Sequence, residues 1–349
     1  MDKIIKKIFI LLKNKDFVTL SRKTFTGCKE IIENCWIPRL PKNLMIEPTN
    51  VCNMRCPTCP TGNKTLNRAP RMMTYDEFKS IIDQCKGSVK HITLWNYGEP
   101  FLNNHLLKMI HYAVEAKISV CTSTNGQFFD SIEFCSELVE SGLNRLIICL
   151  DGADQVTIEK FRIGANFDRI VQGIRNLLSA KQNIGVANPH LELQFIVMRH
   201  NEHQKFLMKQ LAYDLGVDMY IEKTVGIDAN DQNFQEKCRQ LLPEDLSASR
   251  YYRMDNGSYN LKRVMKNFCS WMHTTTVINA DGTVVPCCYD LYSQHIMGNV
   301  FKEPLTTIWN GEKYQLFRKR IHIDRNSIKI CSICSEGLPV SSRIEFSKR

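Results

Sequence analysis

Low-complexity tracts are missing from this sequence, and so is any run of like charges long enough to keep a segment unfolded. With 43% hydrophobic and 23% charged residues over 349 positions, the composition is that of an ordinary globular protein folded nearly throughout. That length exceeds one average domain and suits a barrel with a smaller appendage. A basic stripe interleaved with aromatics is also lacking. The formal charge of +10 comes from scattered Lys and Arg, which disfavours nucleic acid as a partner. Near the start, Met1 to Leu12 sets Ile4, Ile5, Ile8, Phe9, Leu11 and Leu12 among Lys3, Lys6 and Lys7, the pattern of a basic amphipathic helix. Its longest apolar run, Ile8 to Leu12, is too short to span a bilayer, and no small-residue cleavage site follows, so a secretory signal is not expected. Residues 1–40 read as a helical extension packed on the main domain, with membrane-surface contact as the alternative.

Cysteine, by contrast, is abundant: there are 15, with no sign of export. In a reducing, cytoplasmic setting such residues serve as metal ligands or buried apolar groups more often than as disulfides. Their clustering therefore carries the information.

From residue 43 onward, hydrophobic period and punctuation give a strand followed by a helix, six times. The predicted strands are Leu44 to Pro48, His91 to Asn96, Ile118 to Ser123, Arg145 to Leu150, Leu191 to Met198 and Asp218 to Lys223. Each is short and mostly apolar, as a covered parallel strand should be. Tyr75 to Cys85 and Phe167 to Ala180 read as amphipathic helices, the first opened by Thr74 and Glu77 as a capping box. The expected fold is α/β, a partial (β/α)6 TIM-like barrel over residues 41–228 with a small C-terminal domain over 266–349. Residues 229–265, with Pro243 and the polar stretch from Leu246 to Lys262, read as a connector. Thr275 to Val285 reads as a hairpin turning at Asp281-Gly282.

Parallel βα arrays work at the carboxyl ends of their strands. The first strand is followed by Cys52, Cys56 and Cys59, the second by Tyr97-Gly98-Glu99-Pro100, the third by Thr124-Asn125-Gly126 and the fourth by Asp151-Gly152. The suspicious residues thus share one face. Three thiolates within one loop are informative, because structural zinc normally takes four ligands. A cubane held by three cysteines leaves one iron open to a small molecule. Zinc with its fourth ligand elsewhere is the competing reading.

With Glu47-Pro-Thr-Asn50 before it, this loop resembles the cluster-binding loop of the radical S-adenosylmethionine (SAM) superfamily. The resemblance implies a [4Fe-4S] cluster on Cys52, Cys56 and Cys59, SAM chelating the open iron, and one-electron cleavage to a 5′-deoxyadenosyl radical that takes hydrogen from substrate. The residue before the third cysteine, often aromatic in the family, is Thr58 here, which alters adenine packing without touching iron ligation. By the same resemblance Gly98, Glu99 and Pro100 meet the SAM amino group, Ser123, Thr124 and Asn125 its ribose and carboxylate, and Asp151 and Arg162 help hold the ribose or carboxylate.

Near the C-terminus stand Cys269, the adjacent Cys287 and Cys288, then Cys331 and Cys334. One of the adjacent pair with the other three makes four ligands, for zinc or for a fully ligated [4Fe-4S] cluster. The block from Asp281 to Cys287, followed by Met297-Gly-Asn299 and Ile308-Trp-Asn310, resembles the SPASM region of many radical SAM enzymes, in its shortened "twitch" form with one auxiliary cluster, as in the 2-deoxy-scyllo-inosamine dehydrogenase type. In that motif the ligand follows the proline directly, which selects Cys287. Cys121, Cys135 and Cys149 fit strand or helix patterns and read as core.

A cluster with four protein thiolates has no free iron, so electron transfer is its expected task. The expected reaction is dehydrogenation of an alcohol on a sugar or cyclitol, fed by a flavodoxin- or ferredoxin-like donor. The alternatives are a peptide- or protein-modifying maturase and, from another class, a zinc or iron–sulfur scaffold or electron carrier. Against a maturase stands the shortness of the N-terminal segment for leader binding. The chain also ends Phe-Ser-Lys-Arg rather than in the Gly-Gly tail of molybdopterin-precursor cyclases. Candidates for substrate contact are Tyr97, Arg199, His200, Glu222 and Lys223, by their positions at strand ends.

Overall fold

The computed structural model describes residues 39–228, 231–262, 266–332, 334 and 341–346. The N-terminal helix expected above lies outside these residues. Six parallel strands run in sequence order: β1 (Asn43–Ile46), β2 (His91–Thr93), β3 (Ser119–Thr124), β4 (Arg145–Cys149), β5 (His190–Val197) and β6 (Met219–Thr224). The helices Tyr75–Cys85, Leu106–Glu115, Ile132–Glu140, Phe167–Ile184 and Lys205–Leu215 cross between them. This is the expected partial barrel. The capping box forms as read, with the Glu77 amide donating to Thr74 Oγ1 at 3.2 Å and the Thr74 amide donating to Glu77 Oε2 at 2.9 Å. Phe167–Ile184 ends at Gly185, whose φ of 76° gives the left-handed cap that glycine adopts without steric cost.

Outward strand residues such as Ile46, Leu94, Val120, Leu146 and Leu193 are fully buried with Ile82, Ile110, Leu138 and Leu177 of the helices. Each such side chain contributes roughly 1.5–3 kcal/mol. The inner face differs from the apolar expectation. Alternation along β3 turns Ser119, Cys121 and Ser123 inward, and Arg145, Gln194 and Lys223 are likewise only partly buried. A closed barrel packs such a face with aliphatic layers. Here a cavity of about 440 Å³ opens among His91, Ser119, Cys121, Arg145 and His190 at the amino ends of the strands.

The stretch read as a connector contains a helix, Phe234–Leu241, and two strands. β7 (Tyr251–Arg253) and β8 (Tyr259–Leu261) pair as a hairpin, which packs with Phe161, Met198, Ile227 and Phe234. Tyr251 Oη donates to the Ile227 carbonyl at 2.7 Å. The C-terminal hairpin follows as expected, with β9 (Thr275–Ile278) antiparallel to β10 (Thr283–Val285) and then β11 (Gly298–Asn299). Its placement was not legible in the sequence: β9 pairs parallel with β1, so the C-terminal segment continues the barrel sheet. β12 (Ser341–Glu345) closes the other edge, antiparallel to β6. Among the described residues no helix is long and apolar enough to cross a membrane.

Candidate active site and iron–sulfur centres

The loop after β1 carries Cys52, Cys56 and Cys59 across the carboxyl ends of the strands, and backbone contacts fix its path. The Glu99 amide donates to the Val51 carbonyl at 2.8 Å, the Arg55 amide to the Ile163 carbonyl at 3.0 Å, and Asn125 Nδ2 to Asn53 Oδ1 at 2.7 Å. Two glycines permit the close approaches. A Cβ on Gly98 would lie 2.3 Å from the Thr49 oxygen, and one on Gly62 would lie 2.6 Å from the Cys56 nitrogen. Gly62 escaped the sequence reading, although its place three residues after Cys59 marks a chain reversal. Burial pushes the thiols of Cys52 and Cys56 up to about 11.

Glu47 was read only as part of a motif, yet it is a hub. Fully buried, it takes a bidentate pair from Arg68 at 2.6 and 2.7 Å, and accepts from the amides of Tyr97 at 3.2 Å and Ala280 at 3.1 Å. One carboxylate therefore ties the cluster loop, the β2 end and the C-terminal hairpin together. Tyr97 extends the link, its Oη donating to the Cys288 carbonyl at 3.4 Å.

Glu99 lies at the centre of the strand ends. Its carboxylate accepts from Thr124 Oγ1 at 2.9 Å, the Asn125 amide at 2.8 Å and the Phe101 amide at 3.2 Å. It therefore shapes the Thr124-Asn125 turn as well as carrying charge. Burial raises it to about 7, against those donors. A folded-state value above the unfolded 4.5 means that its contribution to stability is full below pH 4.5 and is lost as pH rises through about 7. Between those limits wild-type protein is expected to lose on the order of 3 kcal/mol relative to Glu99→Gln. Denaturant unfolding at a series of pH values measures this, and a pH-independent difference between the two proteins would count against a dry carboxyl.

Asp151 and Arg162 form a buried pair at 2.6 Å, and Asp151 Oδ1 also accepts from the Ile196 amide at 2.7 Å. Burial opposes the charge of Arg162, but Asp151, Cys149 and Cys56 outweigh it and hold the guanidinium above its usual range. Cys149 is buried in the core as expected, and its Sγ also lies 3.5 Å from Ser123 Oγ and from Gln194 Nε2.

The substrate candidates separate. Lys223 is partly buried on the inner face, and burial lowers its ammonium against the opposing pull of Cys149, with nearby Arg343 and Arg250 adding to the lowering. Glu222, next along the strand, points to the helical layer, where it meets Lys205 at 3.6 Å and Tyr220 Oη at 3.3 Å. Arg199 pairs with Glu244 at 3.5 Å on the surface. His200 has a buried Nε2 without a protein partner, and burial lowers its pKa. Glu222 and Arg199 are thus not brought to the cleft.

The second cysteine set lies around a single cavity. Cys269, Cys287, Cys288, Cys331 and Cys334 line one cavity with Arg325 and Met272. Burial pushes the Cys287 thiol well up, and Cys288, Cys331 and Cys334 add to the shift.

The sequence profile of the radical SAM superfamily matches residues 46–191, and that of the SPASM iron–sulfur cluster-binding domain matches residues 269–335. The chain carries a radical SAM domain and a SPASM domain. It is 24% identical over 320 residues to the tungsten-containing aldehyde ferredoxin oxidoreductase cofactor-modifying protein of Pyrococcus furiosus, covering 84% of this chain and 87% of that one. Among solved structures, Streptococcus suis SuiB bound to S-adenosylmethionine aligns with TM-score 0.63 at 16% identity, over 96% of this chain and 83% of SuiB. BtrN in complex with AdoMet and 2-DOIA aligns with TM-score 0.49 at 18% identity, over 86% and 96%.

A radical SAM domain implies a [4Fe-4S] cluster with SAM, and a SPASM domain implies auxiliary iron–sulfur chemistry. The donor sets fit. Three thiols share the first loop, with the largely buried guanidinium of Arg162 beside them. At the second site Arg325 Nε is buried in the cavity wall without a hydrogen-bond partner among the described residues. Among the described residues no three ligating side chains close on a point tightly enough for one metal ion.

Proposed function

We propose that this radical SAM enzyme dehydrogenates an alcohol carbon of a sugar or cyclitol. The observation that carries the reading is the second cavity, where Cys269, Cys287, Cys331 and Cys334 supply four thiols. With every iron ligated by protein, the auxiliary cluster has no position for substrate and is suited to accept an electron. When bound, the first cluster and SAM supply the radical that removes hydrogen from substrate. Cys52, Cys56 and Cys59 are assigned as ligands of the first cluster, and Cys287 rather than Cys288 as the fourth ligand of the second. Gly98, Glu99, Pro100, Ser123, Thr124, Asn125, Asp151 and Arg162 are assigned to SAM. A polyol suits the inner face, because Ser123, Gln194 and Lys223 offer hydroxyl, amide and ammonium groups to hydroxyls. Lys223 is the inward-facing member of the substrate candidates and is assigned to orient substrate. Oxygen-sensitive clusters suit a reducing cytoplasm and a flavodoxin- or ferredoxin-like donor.

The test uses anaerobically reconstituted enzyme with SAM, reductant and a panel of cyclitols, aminocyclitols and hexoses. The expected result is a carbonyl product, trapped as a hydrazone, with deuterium passing from the oxidised carbon into 5′-deoxyadenosine. Deoxyadenosine release with no carbonyl from any polyol, and turnover on a peptide instead, would replace this reading with the maturase one.

A further inference from the structure

Arg325 sits in the short turn Arg325–Ser327 with 7% of its surface exposed. A buried guanidinium needs a counter-charge, since a charge left uncompensated in the interior is strongly destabilising. The groups that supply it are thiols: Cys269, Cys334 and Cys331 act on Arg325, and no carboxylate is among its leading influences. Nη2 donates to Cys334 Sγ at 3.4 Å, Cys331 also accepts from the side chain, and Nη1 donates to the Phe268 carbonyl at 2.7 Å, next to Cys269. Nε is buried in the wall of the same cavity with no hydrogen-bond partner among the described residues.

The contrast with the first site is informative. There the cation beside Cys56 is Arg162, whose charge is already matched by Asp151 at 2.6 Å. That guanidinium pairs with a carboxylate, whereas the leading charges acting on Arg325 among the described residues are thiolates. Reducing a thiolate-ligated cluster adds one negative charge without making or breaking a bond. A cation that donates to the ligating sulfurs favours the reduced form, and hydrogen bonds to sulfur and local charge set cluster potentials.

We infer that Arg325 is a positioning residue that raises the reduction potential of the auxiliary cluster and poises it above the SAM-binding cluster as an electron acceptor. The inference rests on the assignment of a cluster to these cysteines and not on the identity of the substrate.

The experiment is an EPR-monitored redox titration of anaerobically reconstituted full-length wild type, Arg325→Met and Arg325→Lys, with iron counted in each. Arg325→Met is expected to weaken reduction of the auxiliary cluster at least tenfold, about 59 mV for a one-electron couple. Arg325→Lys should recover part of that shift, and the first cluster should titrate unchanged in both. Wild-type protein labelled with guanidino-15N arginine provides a readout that needs no variant, because the reduced auxiliary cluster should show 15N coupling in pulsed EPR. An unaltered auxiliary midpoint in a variant with full iron, or no arginine coupling in wild type, would overturn the inference. Failure to oxidise polyols with the potential shift intact would instead reject only the proposed substrate.

Discussion

Cys56→Ala, reconstituted without oxygen, is expected to carry about four irons per chain in place of about eight, and to release no 5′-deoxyadenosine above background. Three thiolates in one loop leave no spare, and Cys56 is the most enclosed of them: it is buried, while Cys52 and Cys59 are partly open. The Gly62 backbone is packed against the Cys56 backbone, which holds the loop in place around this thiol. Cys331→Ala gives the reciprocal result. It should lose the auxiliary iron but keep the first cluster, so deoxyadenosine is still released while product formation fails. Iron counting with product analysis checks both, and a Cys56→Ala protein that cleaves SAM at the wild-type rate would refute the assignment of this loop.

The second large effect is structural. Glu47→Ala is expected to destabilise the protein by about 3–5 kcal/mol, because Arg68 is left charged and buried. Its side chain is only 10% exposed. A buried ion pair can often be exchanged for an apolar pair at little cost. That escape is narrow here, since Glu47 also accepts from the amides of Tyr97 and Ala280. Glu47→Leu with Arg68→Met removes both charges but strands two buried amides at about 1–3 kcal/mol each. The double variant should therefore remain less stable than wild type while recovering part of the loss. Denaturant midpoints of the two variants decide this, and a double variant as stable as wild type would mean that the amides find other partners.

The strand order, the helix Tyr75–Cys85 and the face bearing the cysteines were legible because they rest on local period, capping and turn chemistry. The β7–β8 hairpin was also written locally, as Asn256-Gly257 between Tyr251-Tyr252 and Tyr259, with Gly257 at φ 78°, but its polar surroundings hid it. Glu47, Gly62 and the partners of Glu222 were not legible. Each depends on a neighbour brought close by the fold: Ala280 to Glu47 across 233 positions, or Lys205 to Glu222 from the outer layer. The polar inner face escaped for a related reason. Apolar count alone does not reveal whether a strand's second face is packed or left open to a cavity.

The parallel pairing of β9 with β1 constrains how the enzyme can move and be taken apart. A ladder from Asn43↔Thr275 to Ile278 makes a poor hinge, so the C-terminal segment cannot swing over the cleft as a lid, and the span separating the two redox centres is set by sheet geometry. A chain shortened before Thr275 would leave the rim of β1 with a row of unsatisfied amides and carbonyls, an invitation to self-association.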